Sequence, residues 1–163
     1  MGQFCYTIFD LYNNWLLLAS GDFEAKDFNA MTVSWGFAGV IWGEPCVQVL
    51  VRPNRHTYKF IEETKHFTVN AFAPDIKETL AVFGSKSGRD IDKINYPTLT
   101  AIPSSKVSSP SYEQAELSIE CEVISSFDIK PGNFETDEIN KWYENDPYHR
   151  AYIAKIVAVT KKD

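Results

Sequence analysis

Apolar and polar positions alternate along much of this chain with the two-residue period of strands, and only short stretches carry the wider spacing of helices. Residues 15–20 are a short apolar strand ended by Gly21-Asp22. Residues 29–36 mix Met, Thr, Val, Ser and Trp, a β-favouring composition, and a glycine-punctuated loop is expected from Gly36 to Gly43. Residues 46–52 follow as a strand with Val47, Val49 and Val51 on one face. In 66–72, Phe67, Val69 and Ala71 alternate with His66, Thr68 and Asn70. Leu117, Ile119, Cys121 and Val123 alternate with Ser118, Glu120 and Glu122, predicting a strand wet on one face. Residues 151–159 read as a final, largely buried strand.

Between these strands the helical signals are brief. Residues 57–64 place Phe60 and Ile61 on an inner face and Glu62 and Glu63 outside. Residues 74–78 read as a helix start, with Asp75 as N-cap and Glu78 at the capping-box position. Residues 136–145 predict a short acidic helix, and the Ser-rich stretch 103–110 a surface connector. About six strands with two or three short helices predict a mainly β, antiparallel barrel in one domain over 1–163. The alternative, a doubly wound α/β sheet, needs longer helices between strand pairs.

Composition narrows the partners. The 11 Phe, 8 Tyr and 4 Trp suit a β-rich core, the simpler reading, or a flat aromatic ligand. A net charge of −6 argues against non-specific nucleic-acid binding but leaves room for a local basic pocket. Cys5, Cys46 and Cys121 lack metal-type spacing and fit a reduced, cytoplasmic chain. Met1-Gly2 is followed by Tyr6 where myristoylation wants Ser or Thr, and the apolar run 15–19 is too short to span a bilayer. No membrane partner is expected.

No motif with its own nucleophile is present, nor a P-loop or G-x-G-x-x-G. His56, His66 and His149 lie far apart, and no metal site is expected. Three polar segments remain. Arg52-Pro53-Asn54-Arg55-His56-Thr57 sits where a strand meets a helix start, a place for a phosphate, or else a plain turn with Thr57 as N-cap and solvated arginines. In residues 85–93, Ser87, Arg89 and Lys93 can supply donors to an anion, or the charges can pair with one another. In residues 29–35, Thr32 and Ser34 share one strand face; Trp35 is core or the border of a flat ring.

Taken in order, Asn29-x-Met31-Thr32-x-Ser34-Trp35-Gly36, Val51-Arg52-Pro53-x-Arg55-x-Thr57, Phe67-Thr68-Val69-Asn70 and Ser87-Gly88-Arg89-x-x-Asp92-Lys93 resemble the flavin reductase family, its flavoredoxin-like members most. The resemblance covers residues ~10 to ~100. It implies an FMN-binding split β-barrel of Greek-key type, a homodimer, and tightly held FMN with NADH or NADPH as electron donor. It implies that Asn29, Thr32, Ser34 and Trp35 line the isoalloxazine and ribityl chain, and that Arg52, Asn54, Arg55 and Thr57 surround the phosphate. Ser87 and Lys93 would close over the cofactor, with Lys93 near the ring, and His149 would lie near the flavin. The last strand departs from the pattern at Ala154-Lys155, on the substrate side. The expected function is an FMN-dependent oxidoreductase passing electrons to a small-molecule or protein acceptor. The alternatives are an FMN-bearing electron carrier without a nicotinamide site, and a cofactor-free interaction barrel.

Overall fold

The computed structural model describes residues 15–162; the readings at Met1, Gly2, Cys5 and Tyr6 lie outside them. Strands β1 (Leu16–Asp22) and β2 (Asp27–Val33) form one hairpin, and β3 (Gly36–Ile41) and β4 (Glu44–Val51) another. Helix α1 (His56–Thr64) leads to β5 (His66–Ala71) and α2 (Lys77–Ser85). A two-stranded ladder, β6 (Ala101–Ile102) with β7 (Ser111–Tyr112), precedes the long strands β8 (Leu117–Asp128) and β9 (Arg150–Lys161). The seven main strands run in the order β2-β1-β5-β8-β9-β4-β3, every neighbouring pair antiparallel. This is the antiparallel barrel that the sequence pattern predicts, in the split form that the family resemblance implies.

Alternation decides what each face buries. Leu18 of β1, Val49 of β4, Val69 of β5, Ile119 of β8 and Tyr152 of β9 fill the barrel interior, joined by Ile61 of α1. The opposite faces of β1 and β2, carrying Leu17, Ala19 and Ala30, meet Leu80 and Phe83 of α2 and a cover built by Leu99, Tyr112 and Ala115. β1 is therefore buried on both faces, which explains its unbroken apolar run Leu16-Leu17-Leu18.

Four local expectations are corrected. The stretch 36–43 is strand β3 rather than a loop, because pairing to β4 supplies its backbone groups with partners. Its turn to β4 holds both Trp42 (φ 54°) and Gly43 (φ 77°) in the left-handed region that two-residue hairpins of this hand require. Asp75 caps no helix: Pro74–Ile76 is a 3-10 turn, and α2 starts at Lys77 without a side-chain cap. Residues 137–143 form 3-10 rather than α-helix. Glu120 and Ser118 are buried, since the Ser-rich connector packs over that face of β8 instead of standing off in solvent. Among the described residues, no helix is long and apolar enough to cross a membrane, and Cys46 and Cys121 are free and buried.

Candidate functional site

The site is built where β4 hands over to α1. Pro53 has no N–H to continue the ladder, and the chain turns with Arg55 N–H donating to Arg52 O at 3.0 Å. Arg55 stands at the N-cap of α1 in extended conformation and gives no side-chain cap. The first turn of α1 thus keeps N–H groups that no capping side chain meets, at the positive end of the helix dipole. Thr57 is not the N-cap. It is fully buried, and its Oγ1 accepts from Asn29 Nδ2 at 2.7 Å.

From the other side, α2 lies on β2, with Thr32 Oγ1 donating to Leu80 O and Arg55 Nη2 donating to Gly84 O. The chain then folds back through 87–93, where the N–H groups of Asp90 and Ile91 both donate to Ser87 O. Lys93 is only 5% exposed. Its Nζ donates to Ala30 O (3.0 Å) and Phe83 O (2.9 Å), and no carboxylate among the described residues pairs with it.

These elements enclose two cavities that share Met31, Asn54 and Arg55 as walls. The larger, about 420 Å³, falls within the ~300–1,000 Å³ common for small-molecule sites. Thr32, Ser34, Trp35, Arg52 and His149 line it, beside Trp142 and Asp146. The smaller, about 70 Å³, is lined by Asn29, Thr57, Ser87 and Lys93, with His56, Lys86 and Arg89 beside them. Every residue that the resemblance assigns to the cofactor therefore borders one cavity or the other, and so does His149. Asn29 and Lys93 line the smaller cavity, while Thr32, Ser34 and Trp35 line the larger.

Arg52 lines the larger cavity and Thr57 the smaller. Its guanidinium forms an ion pair with Asp146, donates to Trp142 O (3.0 Å) and donates from Nε to His149 Nε2 (3.3 Å). The last contact fixes the imidazole, because an arginine N–H can only donate. His149 Nε2 is therefore the acceptor, and the ring proton sits on Nδ1, facing Tyr143 Oη at 3.1 Å. Trp35 packs on His149 at 5.0 Å between centroids and meets Trp142 edge-on at 5.3 Å.

Electrostatics divide the two cavities. Burial first, then Arg52, pushes His149 down to about 4, so the ring is neutral at pH 7. Replacing Arg52 with Met should let His149 titrate at higher pH while burial still holds it below the ordinary histidine range. Imidazole NMR across pH 3–8 checks this. The smaller cavity has Arg55, His56, Lys86, Arg89 and Lys93 in its walls and no carboxylate, in a chain of net charge −6. Burial, then Arg55, pushes Lys93 down to about 8. Burial, then Arg89, Lys59 and Lys93, pushes His56 down.

Sequence reasoning missed His56 and Gly88 as site residues, although both stand inside quoted motifs. It also missed Trp142 and Asp146, which only the tertiary fold brings against Trp35 and Arg52.

The fold is thus an antiparallel split barrel with a cation-lined notch beside an aromatic cavity. The chain belongs to the family described as flavin reductase like domain, whose sequence model matches residues 13–163. An uncharacterized protein of Pyrococcus abyssi is 26% identical over 148 residues, 90% of this chain and 73% of that protein. The flavoredoxin of Desulfovibrio vulgaris (Miyazaki F) superposes with a TM-score of 0.71 at 21% identity, over 91% of this chain and 69% of that one. The FMN-binding protein of Thermus thermophilus, solved with p-hydroxybenzaldehyde, gives 0.72 at 19% identity, over 92% and 72%. Family and fold make the chain a flavin-related oxidoreductase.

Proposed function

We propose that this chain holds FMN, with its phosphate in the small cavity and its isoalloxazine in the larger one, and acts as an NAD(P)H-dependent reductase. The observation that carries this is Lys93, a buried cation without a carboxylate, in the wall of a cavity lined by four other basic residues. A buried charge left unpaired is costly, and a phosphate dianion offsets it. Arg55, Thr57, Ser87 and Arg89 would hold that phosphate. Trp35, Thr32, Ser34 and Met31 would border the ring. When bound, FMN supplies the redox chemistry, so the chain needs no nucleophile of its own. Neutral His149, pinned by Arg52 and Tyr143, then serves as a fixed wall rather than as an acid. The same unpaired cation weighs against a cofactor-free interaction barrel.

A homodimer is part of the proposal. Edge strand β3 and its turn leave Phe37, Val40 and Trp42 exposed, the kind of sheet edge that another chain covers. Light scattering on the purified protein reads the mass directly.

The purified protein should be yellow or take up one FMN per chain, and NADH or NADPH should bleach it without oxygen. Bleaching separates a reductase from an electron carrier that lacks a nicotinamide site. Colourless protein that binds no FMN refutes the whole proposal. Affinity should fall as pH rises through about 8, where Lys93 loses its charge. Lys93→Met should lower FMN affinity about 10- to 100-fold at pH 7, as expected for losing a hydrogen bond to a charged group, and flatten that pH dependence. A fluorescence titration from pH 6.5 to 9.5 tests both.

A further inference from the structure

His56 opens α1 and lines the small cavity. Its ring stands edge-on to Phe60, with centroids 5.4 Å apart and planes at 84°, so its orientation is set by packing. Its Nδ1 is buried and has no hydrogen-bond partner among the described residues. The Cδ2 edge of the ring is the one turned toward Gly88 in the cavity wall.

The charges facing it explain why the site is open. Arg89 and Lys93 line the same cavity, Lys59 follows on α1, and Asp27 of β2 is the carboxylate that opposes them. Burial and these cations hold the imidazole below the ordinary histidine range in the free protein. A phosphate dianion among them reverses the local field, and an opposite charge within ~4–6 Å favours the charged form of a titratable group by ~1–3 pH units.

Resting on the FMN site above, we propose that His56 takes up one proton from solvent as the phosphomonoester enters the small cavity, so that an imidazolium stands beside the phosphate. One N–H bond forms on the imidazole, and no electrons move. Binding thereby becomes coupled to pH through a residue that touches only the phosphate end. The phosphate has its own ionisation near pH ~6 and releases protons on entering a cationic site, so the total proton count mixes two contributions. His56→Asn separates them, because an amide keeps an N–H donor but cannot take up a proton.

The chain has three histidines, so imidazole NMR can follow each one, with His56→Asn giving the assignment. Adding FMN should raise the His56 titration by about one to three pH units. Riboflavin, which lacks the phosphate, should leave it in place. His66, held by Ser108 and Ser109 away from both cavities, should not move. Calorimetry near pH ~6.5, in buffers of different ionisation heat, should show wild type taking up as much as one proton more per FMN than His56→Asn; Lys93 is charged throughout at that pH. FMN bound with His56 unmoved, or with equal proton counts in the two proteins, overturns this inference and leaves the FMN reading standing. No FMN binding overturns both.

Discussion

Gly88→Ala should lower FMN affinity by about one to two orders of magnitude, the size expected when overpacking of ~1–3 kcal/mol falls on a binding wall. A Cβ built on Gly88 lies 1.9 Å from Asn29 Oδ1 and 2.9 Å from its Cγ. Asn29 cannot swing clear without loss, because its Nδ2 donates to Thr57 Oγ1 at 2.7 Å in a fully buried contact. The turn from Ser87 to Arg89 must move instead, carrying two wall residues off the small cavity. Gly88 does not have a left-handed φ, so the cost is one of space alone. Asn29→Ala should therefore rescue part of the loss in the double variant, and a double-mutant cycle on FMN affinity measures the coupling. Additive effects would show that the clash is relieved some other way.

The same contact shows what a sequence can and cannot disclose. Gly88 and Asn29 each stand in a motif legible in the chain, yet 59 positions apart nothing in the string says that they touch. Strands with strict alternation, such as Val47-x-Val49-x-Val51, were legible because the period alone selects the buried face. Strand β3 was not, because its Gly-rich composition reads as loop and only the β4 ladder makes it a strand. The polar residues of the site were legible as types: two arginines, a lysine and hydroxyls in three clusters. Their division between two cavities was not, since it depends on Asp146 and Trp142 holding Arg52 in the larger one. Arginine's several donors let one side chain serve a structural latch where another serves a ligand, and sequence cannot tell which.

Glu120 carries the largest expected effect on stability, and it lies outside both cavities. Its carboxylate, 2% exposed, accepts from Ser105 N and Oγ at 2.9 Å each, from Lys106 N at 2.6 Å and from Val107 N at 3.2 Å. Burial alone would raise its pKa, but the donors from Ser105, Lys106 and Val107 outweigh burial and hold it below the usual glutamate value. A depressed carboxylate stabilises the fold above its unfolded pKa of ~4.3, and that contribution is lost as pH falls through the lower folded value. Glu120→Ala strands three backbone N–H groups beneath the connector and should cost about 3–5 kcal/mol at pH 7. At ~2–4 °C per kcal/mol, that is roughly 10 °C in Tm. Glu120→Gln, which keeps the shape but turns an NH2 toward donors, should cost ~1–3 kcal/mol and flatten the acid limb of the stability curve. Urea unfolding at pH 7 and pH 4 reads both. FMN at a hundredfold excess over its Kd adds ~2.7 kcal/mol to any chain that binds it. If Glu120 holds the connector and nothing more, that increment should be the same in wild type and Glu120→Gln; an increment lost in the variant would mean that the connector, through Leu99 and Tyr112 against Phe83, shapes the wall of the small cavity.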